Sequence, residues 1–248
     1  MYQPRWYREI HQSTLKTFSV QFRETDLWLG VDPSVYSDEL AADCLLFAED
    51  LYCQLQTYLS RDPGYQHSLI PYSPEESAPP IAKLMAEASA AANVGPMASV
   101  AGAFAQTIAD RLEKDYPISN IIVENGGDIY LRTTATRHIA IWAGNSSLSN
   151  KLALEIQPDT SPLGICTSSG TVGPSLSFGK ADAVTVLAKD AAVADSFATA
   201  IGNLVSVRSD IDKALEYSAA QSAIIGTVII LGDYIGFTGG IKLVKAAL

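Results

Sequence analysis

The period of hydrophobic and polar positions changes several times along the 248 residues, and each change predicts an element. In residues 17–31, Phe18, Val20 and Phe22, then Leu27, Leu29 and Val31, alternate with mostly polar neighbours around Glu24, Thr25 and Asp26, which predicts a β-hairpin. After Ser37 and its acidic neighbours, Leu40, Cys44, Leu45, Phe47, Ala48, Leu51, Leu55 and Leu59 recur at helical spacing until Asp62-Pro63-Gly64 stops them. This predicts a long amphipathic helix. Residues 62–80 carry prolines at 63, 71, 74, 79 and 80 and read as an irregular connector. Two alanine-rich helices are predicted over 81–92 and 97–114, parted by Asn93-Val94-Gly95-Pro96, with proline in a first helical turn where its missing N–H costs nothing. Apolar runs at 121–123, 139–142, 152–156, 183–187 and 227–231 read as strands, and 193–205 as a further helix. Strands and helices mix without a strict βαβ rhythm and without an internal repeat. The predicted class is α+β, mixed or antiparallel sheets covered by helices, in a single domain over residues 1–248.

Composition narrows the function. With 48% hydrophobic and 18% charged residues, the chain has the material for a sizeable core. Seventeen basic against 27 acidic residues give a formal charge of −10, which excludes non-specific binding to nucleic acid or an anionic membrane. Cys44, Cys53 and Cys166 are too few and too scattered for a disulfide framework and form no C-x-x-C pair, so a reducing, cytoplasmic setting is expected. The first residues show no apolar stretch of the kind that directs secretion. Residues 223–231 reach about half the length that spans a bilayer and read as a buried strand.

Four glycine-bearing segments carry the candidate chemistry: VGPMASVAG (94–102), VENGGDIYL (123–131), CTSSGTVGPSLSFG (166–179) and ADAVTVLAKDAAVADSFATAIGN (181–203). A helix starting at Pro96 would leave the amides of Met97, Ala98 and Ser99 free to face an anion, with the Ser99 hydroxyl as a further donor; the alternative is a packed Gly-Pro helix start with Gly102 permitting close helix contact. Asn125-Gly126-Gly127-Asp128 is either a glycine-lined ligand loop or a β-turn with Asp128 solvated. Residues 166–179 form a Ser/Thr/Gly loop suited to phosphate but lack a Walker ending, and Cys166, with His11, His67 and His138 all elsewhere, reads as a buried structural thiol. Asp195 and Thr199 lie four apart on one helix face among alanines, two oxygen donors of the kind Mg2+ takes. A chain at −10 that holds a diphosphate must cancel repulsion locally, and Lys180 is the only basic residue nearby in sequence, so a divalent metal is the simplest solution.

The order and content of these segments, over roughly 95–203, resemble the ApbE-like superfamily of FAD:protein FMN transferases: GPMASVAGAFAQ resembles its glycine-rich helix, VENGGDI its GGD turn, TSSG its TSG loop, and VTVLAKDAAVADSFATAIGN its VTV strand and ADALATA helix. The resemblance implies a T-fold-like α+β architecture, FAD or a related nucleotide as ligand, and Mg2+ held at Asp195 and Thr199. It also implies that Gly126, Gly127, Thr167, Ser168, Ser169 and Gly170 line the nucleotide pocket. The departures fall on the catalytic side: residues 95–106 contain no lysine where the transferases carry one, and TVGPSLSFGKADA replaces a longer insertion with a histidine and a D-P-x-T-G element. Two functions compete. One is a Mg2+-assisted nucleotidyl or FMN transferase, or an FAD pyrophosphatase, with Ser99, Ser168, Ser169, Gly170 and Lys180 orienting phosphates and Asp128 positioning the attacking group. The other is a non-catalytic accessory that holds the nucleotide for a partner protein. Trp6, Trp28 and the tyrosines offer apolar surface for a homo-oligomer.

Overall fold

In the computed structural model, which describes residues 14–171 and 177–246, every strand ladder is antiparallel. Trp6 and His11, singled out above, and residues 172–176 of the Ser/Thr/Gly loop lie outside the described residues. The predicted hairpin is β1 (Lys16–Phe22) and β2 (Thr25–Val31), in register from Phe22 opposite Thr25 to Lys16 opposite Val31. Ser37 caps the long helix α1 (Asp38–Arg61), its hydroxyl accepting from the Leu40 amide at 3.1 Å, with Asp38 and Glu39 at the positive end of the helix and Arg61 at the negative end. The connector is less irregular than its prolines suggest. Asp62 accepts from the Tyr65 amide and starts a five-residue helix, α2 (Pro63–His67), and also takes the hydroxyls of Tyr58 and Tyr72.

Helix α3 (Pro80–Ala91) follows the prediction; the next one does not. Residues Pro96–Ser99 form a 3-10 turn, and the α-helix proper, α4, runs over Val100–Asp115. Strands β3 (Ile121–Asn125), β4 (Asp128–Arg132), β5 (Arg137–Ala140), β6 (Leu152–Ile156), β7 (Leu163–Ser168) and β8 (Ala183–Ala188) then lead into α5 (Ala191–Gly202), after which come α6 (Asp210–Ala219), β9 (Ile224–Leu231), β10 (Tyr234–Gly239) and β11 (Leu243–Lys245). The strands form an eight-stranded sheet in the order β1-β2-β3-β4-β7-β8-β9-β10 and a three-stranded sheet in the order β11-β6-β5.

Two apolar layers hold these parts. One face of the large sheet carries α1, α3, α4 and α5 over a core that includes Leu29, Met85, Ile108, Val123, Val186 and Phe197. The other face packs on the small sheet through Leu131, Ile141, Leu154, Leu163, Ile165 and Ile230. Central strands are therefore buried on both sides, as the unbroken buried run of β8 shows. Strict alternation of side chains decides which polar group faces which layer, and this alternation builds the site.

Candidate functional site

The helix face of the large sheet brings three sequence-distant residues, Asp128, Cys166 and Asp195, together at the start of β4 and the start of α5. Gly126 and Gly127, at φ +70° and +105°, make the two-residue turn that joins β3 to β4, with Asn125 opposite Asp128. The turn reading of this motif is what the structure contains. Asp128 is nevertheless not a solvated turn residue: it begins a strand, alternates onto the helix face with Tyr130, is only 8% exposed, and accepts the Thr167 amide at 3.1 Å. The Asn125 side chain donates to the Ala101 carbonyl at 3.3 Å, fastening the hairpin tip to α4, and the Gly127 amide donates to Glu124 at 2.6 Å. A side chain on Gly127 would meet nothing within 4 Å, so the tip opens onto free space.

Asp195, in the second turn of α5, is 9% exposed and accepts the Gly102 amide at 2.9 Å. Glycine is required at 102 because the helices nearly touch: a Cβ there would lie 2.3 Å from the Ala191 carbonyl oxygen and 2.9 Å from Asp195 Cβ. From the opposite side, a Cβ on Gly164 of β7 would lie 2.3 Å from the Cα of Ala191. Ala191 is thus wedged between α4 and β7, which fixes the start of α5 and the height of Asp195. Burial holds the Asp195 carboxyl well above the usual carboxylate range, and the negative charge of Asp128 pushes it in the same direction; the amides of Gly102 and Ala101 oppose both without overcoming them. Cys166 lies beside the pair, its thiol donating to the Ala191 carbonyl at 3.3 Å and held well above its ordinary range by burial and by the charges of Asp128 and Asp195. It is a buried, inert thiol, not a nucleophile.

The remaining predicted residues divide. Thr199, one turn beyond Asp195, is half-buried, and its hydroxyl has no hydrogen-bond partner among the described residues. Ser168 alternates onto the same face as Cys166 and sits against the far end of α5, its Oγ 3.5 Å from where a Cβ on Gly202 would be. Thr167 contributes only its amide: its side chain lies on the opposite face, hydroxyl to hydroxyl with Thr185 at 2.9 Å. Ser169 and Gly170 are at the rim. The Ser169 hydroxyl meets that of Thr171, and the Gly170 amide is already taken by the Ala181 carbonyl at 2.8 Å, so it is not a free donor for phosphate. Lys180 is exposed at the base of this loop, its amide bonded to the Val205 carbonyl at 2.7 Å.

Ser99 is a correction. It is fully buried, and its hydroxyl donates to the carbonyls of Met85 at 3.1 Å and Pro96 at 2.9 Å, so it staples the 3-10 turn to α3 and does not face a ligand. The Ala98 amide is likewise spent on Gly95. The reason is the 3-10 turn itself, whose tighter bonding takes up an amide that an α-helix beginning at Pro96 would have left open. A second helix start is occupied by a residue that sequence reasoning did not single out: Gln106 of α4 accepts the amides of Ala191 at 2.8 Å and Ala192 at 3.4 Å, and donates to Asp190 at 3.2 Å. Nothing local to α5 signals a cap supplied from 85 residues away.

The oxygen donors suit a hard divalent cation. Two buried acidic side chains whose charges act on one another carry repulsion that a cation would relieve, and the Thr199 hydroxyl, without a hydrogen-bond partner among the described residues, lies one turn along the same helix. No group of three or more His, Cys, Asp or Glu side chains suited to a metal occurs among the described residues, so a cation here would take most of its ligands from hydroxyl, water or substrate oxygens.

Comparison with known proteins adds a lineage. The family model described as AbpE bacteria matches residues 8–230. A UPF0280 protein of Methanocaldococcus jannaschii is 42% identical over 229 residues, 90% of this chain and 91% of the relative. A UPF0280 protein of Methanosphaerula palustris is 41% identical over 227 residues, 92% of each. Among solved structures, the apo flavinyl transferase ApbE of Pseudomonas stutzeri superposes with a TM-score of 0.57 at 15% identity, covering 92% of this chain and 95% of that one. The ApbE protein of Thermotoga maritima gives 0.55 at 12% identity, covering 89% and 96%. The shared fold is α+β with antiparallel sheets and helices, as the sequence predicted.

Proposed function

This chain belongs to the AbpE bacteria family, and from that premise we propose that it binds a flavin dinucleotide, FAD or a close relative, through a Mg2+ ion held at Asp195 and Thr199. The observation that carries the reading is the buried pair of Asp128 and Asp195, two acidic side chains each less than a tenth exposed, which the fold brings close enough for the charge of one to act on the other. A bound Mg2+ would supply charge neutralisation for the diphosphate. The protein's own residues do the rest. Asp195 is held at fixed height by the Gly102 amide, Thr199 offers its hydroxyl one turn away, and Ser168 stands at the far end of the same helix face to bond a phosphate oxygen. Gly126 and Gly127 leave the hairpin tip without side chains, so a flat ring or a diphosphate can approach the backbone. Asp128, oriented by the Thr167 amide, is the group that would position and deprotonate an attacking hydroxyl. Lys180 and Ser169 at the rim would meet the outer phosphate or the nucleoside.

Whether the nucleotide is cleaved divides two readings of the same site. A transferase or pyrophosphatase uses Asp128 as its base. A holding role for a partner enzyme is favoured by one observation: no histidine joins the site among the described residues, His138 being paired with Glu155 on the small sheet. Incubation with FAD and Mg2+, followed by separation of products, distinguishes them. FMN and AMP appearing, and ceasing to appear in Asp128→Asn, supports cleavage; retained, unreacted FAD supports holding; neither product nor retention removes the flavin reading altogether.

A further inference from the structure

The large sheet ends on β10, a strand whose outer edge is built for pairing. Its hairpin with β9 closes at Leu231 opposite Tyr234 and continues through Gly236 opposite Ile229 and Thr238 opposite Thr227. The Asp182 amide donates to Ile230, which fixes that residue's backbone towards β8 and so sets the parity of β9: Leu231, Ile229 and Thr227 turn theirs towards β10. The backbone N–H and C=O groups of Ile235 and Phe237 therefore point away from the sheet, and no described residue pairs with them. The same two residues carry exposed apolar side chains, Ile235 at 38% and Phe237 at 55%.

The other three outer strands are protected by basic side chains: β1 by Lys16, β5 by Arg137 and His138, and β11 by Lys245. Such residues are a common device against edge-to-edge association. Strand β10, YIGFTG, carries neither a charge nor a proline. In a chain with a formal charge of −10, two copies meet most easily where acidic side chains are few, and the residues of this strand carry none.

We propose that β10 pairs with β10 of a second copy of this chain, antiparallel about a twofold axis through Gly236, joining two eight-stranded sheets into one. In that register Ile235 lies opposite Phe237 of the partner subunit and exchanges both backbone hydrogen bonds with it, and the two-fold repeats the exchange. Tyr234 lies opposite Thr238 of the partner subunit on the face that bears α6. Glycine suits the axis, where a non-hydrogen-bonded pair brings Cα atoms to about 4.5 Å; Gly236 is in any case packed beneath Ile211 and Leu215 of α6. The apolar surface of the strand, with Tyr234 45% exposed, is on the order of 250 Å² per protomer, about a third of what a stable interface buries on each side. Val207 and Leu204, exposed beside Arg208 where its guanidinium stacks 4.0 Å over the Tyr234 ring, extend the patch. The dimer is accordingly a weak, reversible one.

Sedimentation velocity from low to several hundred micromolar protein tests this. The wild type shifts from the monomer mass towards twice that mass, while Phe237→Lys, which sets a charge on the seam, and Ile235→Pro, which removes an outward N–H that β9 does not use, remain monomeric with unchanged circular dichroism. The exposed Leu46→Lys on α1 dimerises like the wild type. Oxidation of a Tyr234→Cys/Thr238→Cys chain in a Cys53→Ser background gives a covalent dimer, and the corresponding Leu46→Cys chain does not. A wild type that stays monomeric throughout, or a dimer that survives both edge substitutions, overturns the proposal.

Discussion

Replacing Gly102 with alanine tests whether the contact between α4 and α5 sets the position of Asp195. The new Cβ would lie 2.3 Å from the Ala191 carbonyl oxygen, 2.8 Å from its carbon and 2.9 Å from Asp195 Cβ. Two of these are backbone atoms, held from behind by Gly164, so the helices must part by nearly an ångström. Overpacking of this kind costs about 1–3 kcal/mol. Parting also stretches the 2.9 Å bond from the Gly102 amide to a carboxylate, a bond type worth about 1.5–3 kcal/mol. The helix propensity gained on going from glycine to alanine returns about 1 kcal/mol. The net loss is about 1.5–5 kcal/mol, and at about 2–4 °C per kcal/mol for a chain of this size the melting temperature should fall by roughly 3–20 °C. Gly202→Ala, on the helix α5 that carries Asp195, is the control: its Cβ finds only ordinary contacts, with Ser168 at 3.5 Å and Val184 at 4.0 Å, and its effect should stay within about 1 kcal/mol of zero. Thermal unfolding of both variants decides the matter. Equal melting temperatures, or a larger loss for Gly202→Ala, would refute the packing argument.

Gln106→Ala should cost about 1–2 kcal/mol in urea unfolding, because the amides of Ala191 and Ala192 lose their acceptor, whereas alanine at the exposed Gln54, which bonds only Asp50, should change little. Burial alone would raise the Asp32 carboxyl, but the amides of Ser119 and Asn120 and the Asn120 side chain outweigh it and hold it below the usual carboxylate range. A depressed carboxylate stabilises above its unfolded value and loses that contribution as pH falls through its folded one, so the deficit of Asp32→Ala, clear at neutral pH, should shrink on titration into acid. Asp195 has the opposite sign. Its raised carboxyl favours the folded state while protonated and penalises it as pH rises above the ordinary aspartate value, so without metal the protein should lose stability on that account towards neutral pH. Mg2+ binds the ionised form, and the rise in melting temperature it produces should therefore be larger at about pH 8 than at about pH 5; an equal rise at both would count against Asp195 as the ligand.

Local signals carried much of the architecture. Ser37 with its acidic followers marked the start of α1, and the alternation around Phe18 and Leu29 marked the first hairpin, because capping and period-2 burial act within a few residues. Strand β4 was obscured by the glycines before it and by its mix of acid, aromatic and aliphatic residues, which only the layers on both of its faces explain. Strand β10 escaped because it lies at the edge of the sheet with little burial to impose a pattern. At the site, helical spacing sufficed to put Asp195 and Thr199 on one face. It could not reveal that Thr167 turns its hydroxyl away while Asp128 turns inward, since that depends on strand register. The cap from Gln106 and the double staple by Ser99 are tertiary bonds, invisible to any window along the chain.

The central claim is that a divalent cation at Asp195 lets this acidic protein hold a diphosphate. Equilibrium dialysis of FAD against wild type and Asp195→Asn, each with Mg2+ and with a chelator, addresses it directly. The variant keeps an oxygen for the Gly102 amide but not the charge. The account predicts that wild type retains flavin with Mg2+ and loses at least about tenfold in affinity, or 1.4 kcal/mol, when the metal is removed, and that the variant binds weakly in both conditions. Retention that is the same for both proteins, or indifferent to Mg2+, would contradict it.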